Sequence, residues 1–294
     1  MKLKSFEVVC DFIKEIFKCN FLAEHVNEKI GQIGELMKAR SAIMEIMKEK
    51  RPPLSKEFME DVFPVLEVAL QWNELRERQQ LSEQFVKNCR KRMKTSSSNF
   101  LGVIFEIDMA TRCLLSNWKT DFLEDYTNQN KQIDLLIEKP NGEKIGLECT
   151  SKRGTENIDE SKINETISEK SEKFDLKHLK SLGIELDRKI IIVDLTRKNH
   201  EKPKLLENLN KIVFSNNVDG AIITWREDFI EGERHSLRIK YKSLGKIPDI
   251  YFTTTWAAEF FPPTTERGSA FALRKYVESE PRHGKWGPEE TKMR

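Results

Sequence analysis

Apolar residues recur at spacings of three and four through residues 1 to about 95: Phe6, Val9, Phe12, Ile13, Ile16 and Phe17, then Ile30, Ile33 and Met37, then Ile43, Met44 and Met47. That spacing lines one face of an α-helix, so an all-α N-terminal region is expected. Arg51-Pro52-Pro53 interrupts the pattern because consecutive prolines cannot continue a helix, and Ser55 is placed to cap a further helix from Lys56 to Gln71 or beyond. The Phe and Met stripes read as packing surfaces. A longer apolar pattern from Phe100 to Leu115 predicts another helix, capped by Ser98 or Asn99. Val103, Glu106, Ala110 and Cys113 share one stripe of it, and Asp108 lies on a different face.

The period then changes from helical to two. From Lys131 to Glu138, Ile133, Leu135 and Ile137 alternate with Gln132, Asp134 and Leu136, which predicts a strand with Asp134 directed away from the core. Pro140-Asn141-Gly142 supplies a tight turn, since Gly tolerates the positive φ that such turns need. From Glu143 to Thr150 the apolar set is Ile145, Leu147 and Cys149, leaving Glu148, Thr150 and Lys152 on the opposite face. The segment therefore reads as a β-hairpin that carries two acids and a lysine on one side.

Arg153-Gly154-Thr155 breaks the strand. Ile158, Ile163, Ile167, Phe174, Leu176 and Leu179 then predict one amphipathic helix or two short ones, with Lys162, Lys170, Lys173, Lys177 and Lys180 on the wet face. Lys189 to Thr196 is nearly all apolar, the pattern of a strand buried on both faces, with Asp194 near its end. A second α/β unit follows, with a helix from Pro203 to about Phe214 and a strand from Val218 to Trp225. Weaker strand signals cover Leu237 to Tyr241 and Tyr251 to Ala258. Pro262-Pro263 opens a loop, Ala270 to Val277 suggests a short helix, and Gly284 to Arg294 is polar without a period. The expected division is a helical region at 1–95, an α/β core with its extension at 96–261, and a C-terminal tail at 262–294.

The 294 residues can bury one large core or two modest ones. Charged residues make up 33% of the chain yet sum to +2, so any polyanion-binding surface must be a local patch. The densest basic run holds Lys87, Arg90, Lys91, Arg92 and Lys94, followed by Ser96 to Ser98 and Asn99. It has two readings, a surface for backbone phosphates or solvated charges favoured at a helix C-terminus. Five scattered cysteines without a CxxC pair argue against a disulfide framework and a structural zinc site, which fits a cytoplasmic location. No apolar run reaches the roughly 20 residues that span a bilayer, and no membrane partner is expected. The five histidines have no metal-site spacing, and P-loop, dinucleotide and nucleophile-elbow motifs are absent from the sequence.

Hard carboxylate oxygens with a nearby ammonium suit a divalent-metal phosphodiesterase, while a solvated hairpin with acids and lysines on its wet face is the plainer reading. The order of elements separates the two. A helix at Phe100–Leu115, strands at Asp121–Tyr126, Lys131–Glu138 and Glu143–Thr150, a helix within Ile158–Leu182 and a strand at Lys189–Leu195 resemble the PD-(D/E)XK, or restriction-endonuclease-like, nuclease superfamily. The resemblance covers the central third of the chain. It implies an α-β-β-β-α-β core with a mixed sheet flanked by helices. It also implies Mg²⁺ or Mn²⁺ held by Asp134 and Glu148 with Glu106 assisting, and a catalytic lysine. The family's usual lysine stands two residues after the glutamate, where this chain has Thr150. Lys152 keeps the strand parity, although its Cα lies about 13 Å from that of Glu148, and Lys162 or Lys170 could supply the charge instead.

The expectation is a metal-dependent endonuclease acting on duplex DNA, in analogy with microbial restriction or antiviral defence systems, as a homodimer or with a partner protein. Two rivals stay open: a catalytically inactive nuclease-fold module that binds nucleic acid or partner proteins, and an RNA nuclease.

Overall fold

The structure is a computed structural model that describes residues 7–23, 25, 28–48, 56–115, 118–123, 133–152, 159–174, 176–181, 183–195, 209, 212, 214, 217–231 and 234–246. The readings for Ser55, for 203–208, for Tyr251–Ala258 and for the whole tail at 262–294 lie outside these residues. The chain divides into two compact units, within Met1–Thr111 and within Arg112–Glu266, so that the division falls inside a helix.

Among the described residues the first unit is helical throughout: α1 (Glu7–Phe17), α2 (Glu28–Gly31), α3 (Gly34–Met47), α4 (Lys56–Glu77), α5 (Glu83–Met93) and most of α6 (Ser97–Leu115). The three-four spacing in α1 does what it predicts, burying Val9, Phe12, Ile13, Ile16 and Phe17. Phe12 meets Trp72 of α4 edge-on at 5.8 Å, and Trp72 stacks on Phe85 of α5 at 6.2 Å. The indole N–H of Trp72 donates to Glu15 Oε2 at 2.9 Å, which keeps the one polar atom of this aromatic cluster satisfied. Ser82 caps α5 by accepting from the N–H of Phe85. At α6 the hydroxyl of Ser96 accepts from the N–H of Asn99. The capping residue is thus Ser96 and not Ser98 or Asn99, because the helix begins a turn earlier than the apolar pattern announces.

Among the described residues the second unit is built on a mixed, open six-stranded sheet with its strands in sequence order: β1 (Lys119–Phe122), β2 (Leu135–Glu138), β3 (Lys144–Ser151), β4 (Arg188–Asp194), β5 (Gly220–Glu231) and β6 (Arg234–Gly245). The first three form an antiparallel meander, β4 and β5 add in parallel, and β6 returns antiparallel. The parallel β3–β4 pair needs a crossover, which contains α7 (Glu160–Ser171) and α8 (Leu176–Ser181). The chain is therefore of mixed α/β class, and α6 through β4 run helix, three strands, helices, strand.

The hairpin turn forms where Pro140-Asn141-Gly142 predicts it. Gly142 adopts φ +87° and its N–H donates to the carbonyl of Lys139, while the ammonium of Lys139 meets Glu143 at 2.6 Å. Leu135 pairs with Leu147 and Ile137 with Ile145 on one face of β2 and β3, as the alternation requires.

Two expectations about this hairpin are corrected. Ile133 does not continue the Leu135–Ile137 face. It precedes β2 and packs on the other side, where its Cδ1 would come within 2.7 Å of a Cβ at Gly146 beside Phe174. Nor is the face that carries the acids wet, for Asp134 is 3% and Glu148 0% exposed. Ile163 and Ile167 of α7, together with Phe174 and Leu179, pack against Ile133, Ile191 and Val193, and this layer covers the sheet. Alternation shows which side chains share a face of a strand; it carries no information on whether a later helix will cover that face.

Candidate active site

Asp134 and Glu148 are brought together by strand register. Asp134 immediately precedes β2, and its backbone N–H donates to the carbonyl of Leu147, the residue before Glu148, at 3.0 Å. The backbone N–H of Cys149 donates to Asp134 Oδ2 at 2.7 Å, which fixes one oxygen of that carboxylate and turns Oδ1 toward Glu148's surroundings.

The lysines come from the covering layer. Lys170, in the last turn of α7, places its Nζ 2.7 Å from Glu148 Oε1. Lys173, on the turn just past α7, stands 2.6 Å from the same oxygen and 3.6 Å from Asp134 Oδ1. The apolar pattern puts both lysines on a wet face, and the structure corrects it. They turn inward because Ile163, Ile167 and Phe174 press this side of α7 and its following turn onto the sheet, leaving the two side chains 21% and 26% exposed. Their long aliphatic stems let the ammoniums reach buried acids while keeping partial contact with water.

Among the described residues Glu148 Oε2 is buried and has no hydrogen-bond partner. Burial pushes the Glu148 carboxyl up to about 8, and the neighbouring charge of Asp134 pushes in the same direction. The ammoniums of Lys170 and Lys173 pull the other way without cancelling these effects. The result is a buried two-carboxylate, two-ammonium cluster with one carboxylate oxygen unsatisfied. A cation with open coordination positions is the chemical group that such an oxygen lacks. Among the described residues no three His, Cys, Asp or Glu side chains converge in a way that could hold a metal ion. The pair fits Mg²⁺ better than a fully protein-caged metal, since Mg²⁺ keeps several waters and needs only one or two carboxylates.

The remaining candidates lie elsewhere. Lys152 follows β3; its backbone N–H donates to the carbonyl of Asp194, and among the described residues its side chain makes no hydrogen bond or ion pair to either acid. Thr150 is half-buried beside Val193. Glu106 belongs to the first unit, where Arg92 grips it with both nitrogens, at 2.7 Å and 2.5 Å. Asp108, read as no ligand, accepts a 2.6 Å bond from Gln71.

The basic run is split by the helix it forms. Arg92 is committed to Glu106, and Arg90 donates to the carbonyl of Glu15 at 3.0 Å. Lys87 and Lys91 are exposed one turn apart on α5, and half-buried Lys94 ends that helix. Sequence reasoning names Lys170 as one alternative donor but does not single out Lys173. The available signal is its spacing of three from Lys170 at the end of the helix that follows the hairpin.

Compared with known proteins, the chain matches no family model and no curated protein. None of the described helices is long and apolar enough to cross a membrane.

Proposed function

We propose that the Asp134, Glu148, Lys170 and Lys173 cluster is the active site of a metal-dependent nuclease that hydrolyses phosphodiester bonds in DNA. The observation that carries this reading is the buried pair of acids facing each other across the β2–β3 hairpin, with the ammoniums of the next helix and turn on them and Glu148 Oε2 unsatisfied. The order α6-β1-β2-β3-α7-β4 and the sheet order support the resemblance to the PD-(D/E)XK superfamily. Lys170 answers the departure at Thr150, because a lysine one helix later delivers its charge to the same glutamate.

Asp134 Oδ1 and Glu148 would hold Mg²⁺ or Mn²⁺, which when bound supplies an acidified water and neutralises charge on the scissile phosphate. The ammonium of Lys170 would hold that water or a non-bridging phosphate oxygen. In-line attack at phosphorus would break the bond to the 3′ oxygen and leave a 5′-phosphate, the outcome the resemblance implies. Lys87, Lys91 and Lys94 would hold backbone phosphates. A homodimer, a partner protein and a role in restriction or defence rest on the resemblance alone, as does assistance from Glu106.

One observation favours a second reading. Thr150 cannot carry the positive charge of the family's usual position, so an inactive nuclease-fold module that binds nucleic acid is the rival. The test is incubation with circular and linear duplex DNA, single-stranded DNA and RNA, in Mg²⁺ or Mn²⁺ and in EDTA, beside Asp134→Ala and Glu148→Ala. Metal-dependent cutting lost in both variants supports the nuclease, and substrate preference separates DNA from RNA. Metal-independent binding without cutting supports the module.

A further inference from the structure

Lys173 stands where a bound cation would be expected to stand. Its Nζ approaches Glu148 Oε1 and Asp134 Oδ1 together, at 2.6 Å and 3.6 Å, so one ammonium spans both acids. The N–H of Cys149 engages the other oxygen of Asp134, Oδ2, which leaves Oδ1 as the oxygen turned toward Lys173. Lys170 stands 2.7 Å from the same Glu148 oxygen.

We propose that Lys173 is a tethered surrogate cation: it occupies the metal position in the metal-free protein, and Mg²⁺ or Mn²⁺ binds by displacing it from Asp134 and Glu148. This inference rests on the metal-site reading above and deepens it.

Charge and geometry argue for displacement over coexistence. With Glu148 ionised, as a metal ligand must be, two carboxylates and two ammoniums sum to zero, so adding a divalent ion with both lysines in place would put four positive charges against two negative ones in a site where burial weakens screening. Releasing one ammonium relieves part of that repulsion and frees Asp134 Oδ1. Lys173 is the one placed to leave. It stands two residues past the last residue of α7, its side chain is 26% exposed against 21% for Lys170, and its long flexible stem can swing while Phe174 pins the neighbouring backbone in the core. Lys170 keeps its place in the helix and its bond to Glu148. Once released, the Lys173 ammonium lies at the rim of the site, where an incoming phosphate would meet it. Lys173 is then a positioning residue that holds two like-charged acids together until the ion arrives.

The test measures Mn²⁺ binding by calorimetry, without nucleic acid, to the full chain, Lys173→Met, Lys170→Met and Asp134→Asn. Methionine keeps the length of the stem and removes the competing charge. Lys173→Met is expected to bind Mn²⁺ about tenfold more tightly, the factor that corresponds to removing one charge-assisted hydrogen bond from the competition. A second measurement uses the unaltered chain: acetylation of lysines by an amine-reactive ester, read by mass spectrometry with and without Mn²⁺. Lys173 should become several-fold more reactive with Mn²⁺ while Lys170 does not, a change that a merely structural lysine would not show. Equal or weaker binding by Lys173→Met than by the unaltered chain, or exposure of Lys170 in place of Lys173, overturns the proposal, and undiminished Mn²⁺ binding by Asp134→Asn overturns the metal-site reading and the proposal with it. Absence of Mn²⁺ binding in both the unaltered chain and Lys173→Met overturns the metal-site reading and this proposal with it.

Discussion

Replacing Glu148 with glutamine should stabilise the protein, and by an amount that grows with pH. Burial and the charge of Asp134 raise the folded-state Glu148 carboxyl from 4.5 to about 8. Between those values the folded chain binds a proton that the unfolded chain does not, so folding stability falls as pH rises through the window, by at most about 1.4 kcal/mol per pH unit. The stability is fully present below pH 4.5 and lost by about pH 8, and across that interval the slope integrates to roughly 5 kcal/mol. Glutamine is isosteric and neutral, so it resembles the protonated acid. Lys170 and Lys173, each in partial contact with water, can turn outward when the charge disappears. Thermal unfolding in EDTA at pH 4 and pH 8.5 should give nearly equal midpoints for the two proteins at the lower pH, which lies below both carboxyl values. At the higher pH the variant should lead by roughly 10–20 °C, since about 1 kcal/mol is worth ~2–4 °C in a chain of this size class. Every other titrating group is common to both proteins and cancels in the difference. A glutamine variant less stable by the same margin at both pH values would refute the reasoning. It would mean that Glu148 is ionised throughout and that its lysine pairs outweigh burial, in which case breaking them costs about 3–5 kcal/mol.

Three further outcomes follow from the same geometry. Metal affinity should rise with pH and level off above about 8, because Glu148 must lose its proton before it can act as a ligand; Mn²⁺ titrations at pH 6, 7 and 8.5 check this, and a flat profile contradicts it. Lys170→Ala should lower the cleavage rate on the order of a hundredfold, in the range of general acid–base and electrostatic contributions, while Lys152→Ala should lower it by less than about tenfold. Arg92→Ala should lower stability by roughly 2–3 kcal/mol, a value reduced from that of a fully buried pair because Arg92 is 30% exposed, as read by urea unfolding. If Arg92→Ala proved as stable as the unaltered chain, Glu106 would owe nothing to that grip.

Hairpin and helix differ in how much of their structure a linear pattern can convey. Positive φ at Gly142 and alternation through Ile145, Leu147 and Cys149 are local properties, so the turn and β3 are legible within one residue at either end. β1 is expected at Asp121–Tyr126 and runs from Lys119 to Phe122, and β6 extends from Arg234 to Gly245 where only Leu237–Tyr241 is expected. In sequence, Arg234, Arg238, Lys240 and Lys242 alternate with Leu237, Ile239 and Tyr241, and these charges mask the ends of β6 from a reading based on apolar residues.

The side-chain chemistry of the cluster depends on a different kind of information. Shared parity is enough to put Asp134 and Glu148 on one face, but their burial depends on a helix that starts twelve residues after Glu148. The lysine on the strand and the lysines on the helix look alike in sequence, each a charge beside an apolar stripe. Packing separates them: Ile163, Ile167 and Phe174 bring Lys170 and Lys173 down onto the acids, whereas Lys152 follows the strand past them. Glu106 misleads for the converse reason. An acid on an apolar stripe points to a partner, and the partner here is Arg92, fourteen residues earlier in the same basic run that reads as a phosphate surface. Of these two buried glutamates, Glu148 keeps Oε2 without a hydrogen-bond partner among the described residues, while Arg92 engages both oxygens of Glu106, and that difference, invisible in the sequence, is what separates a candidate ligand from a structural ion pair.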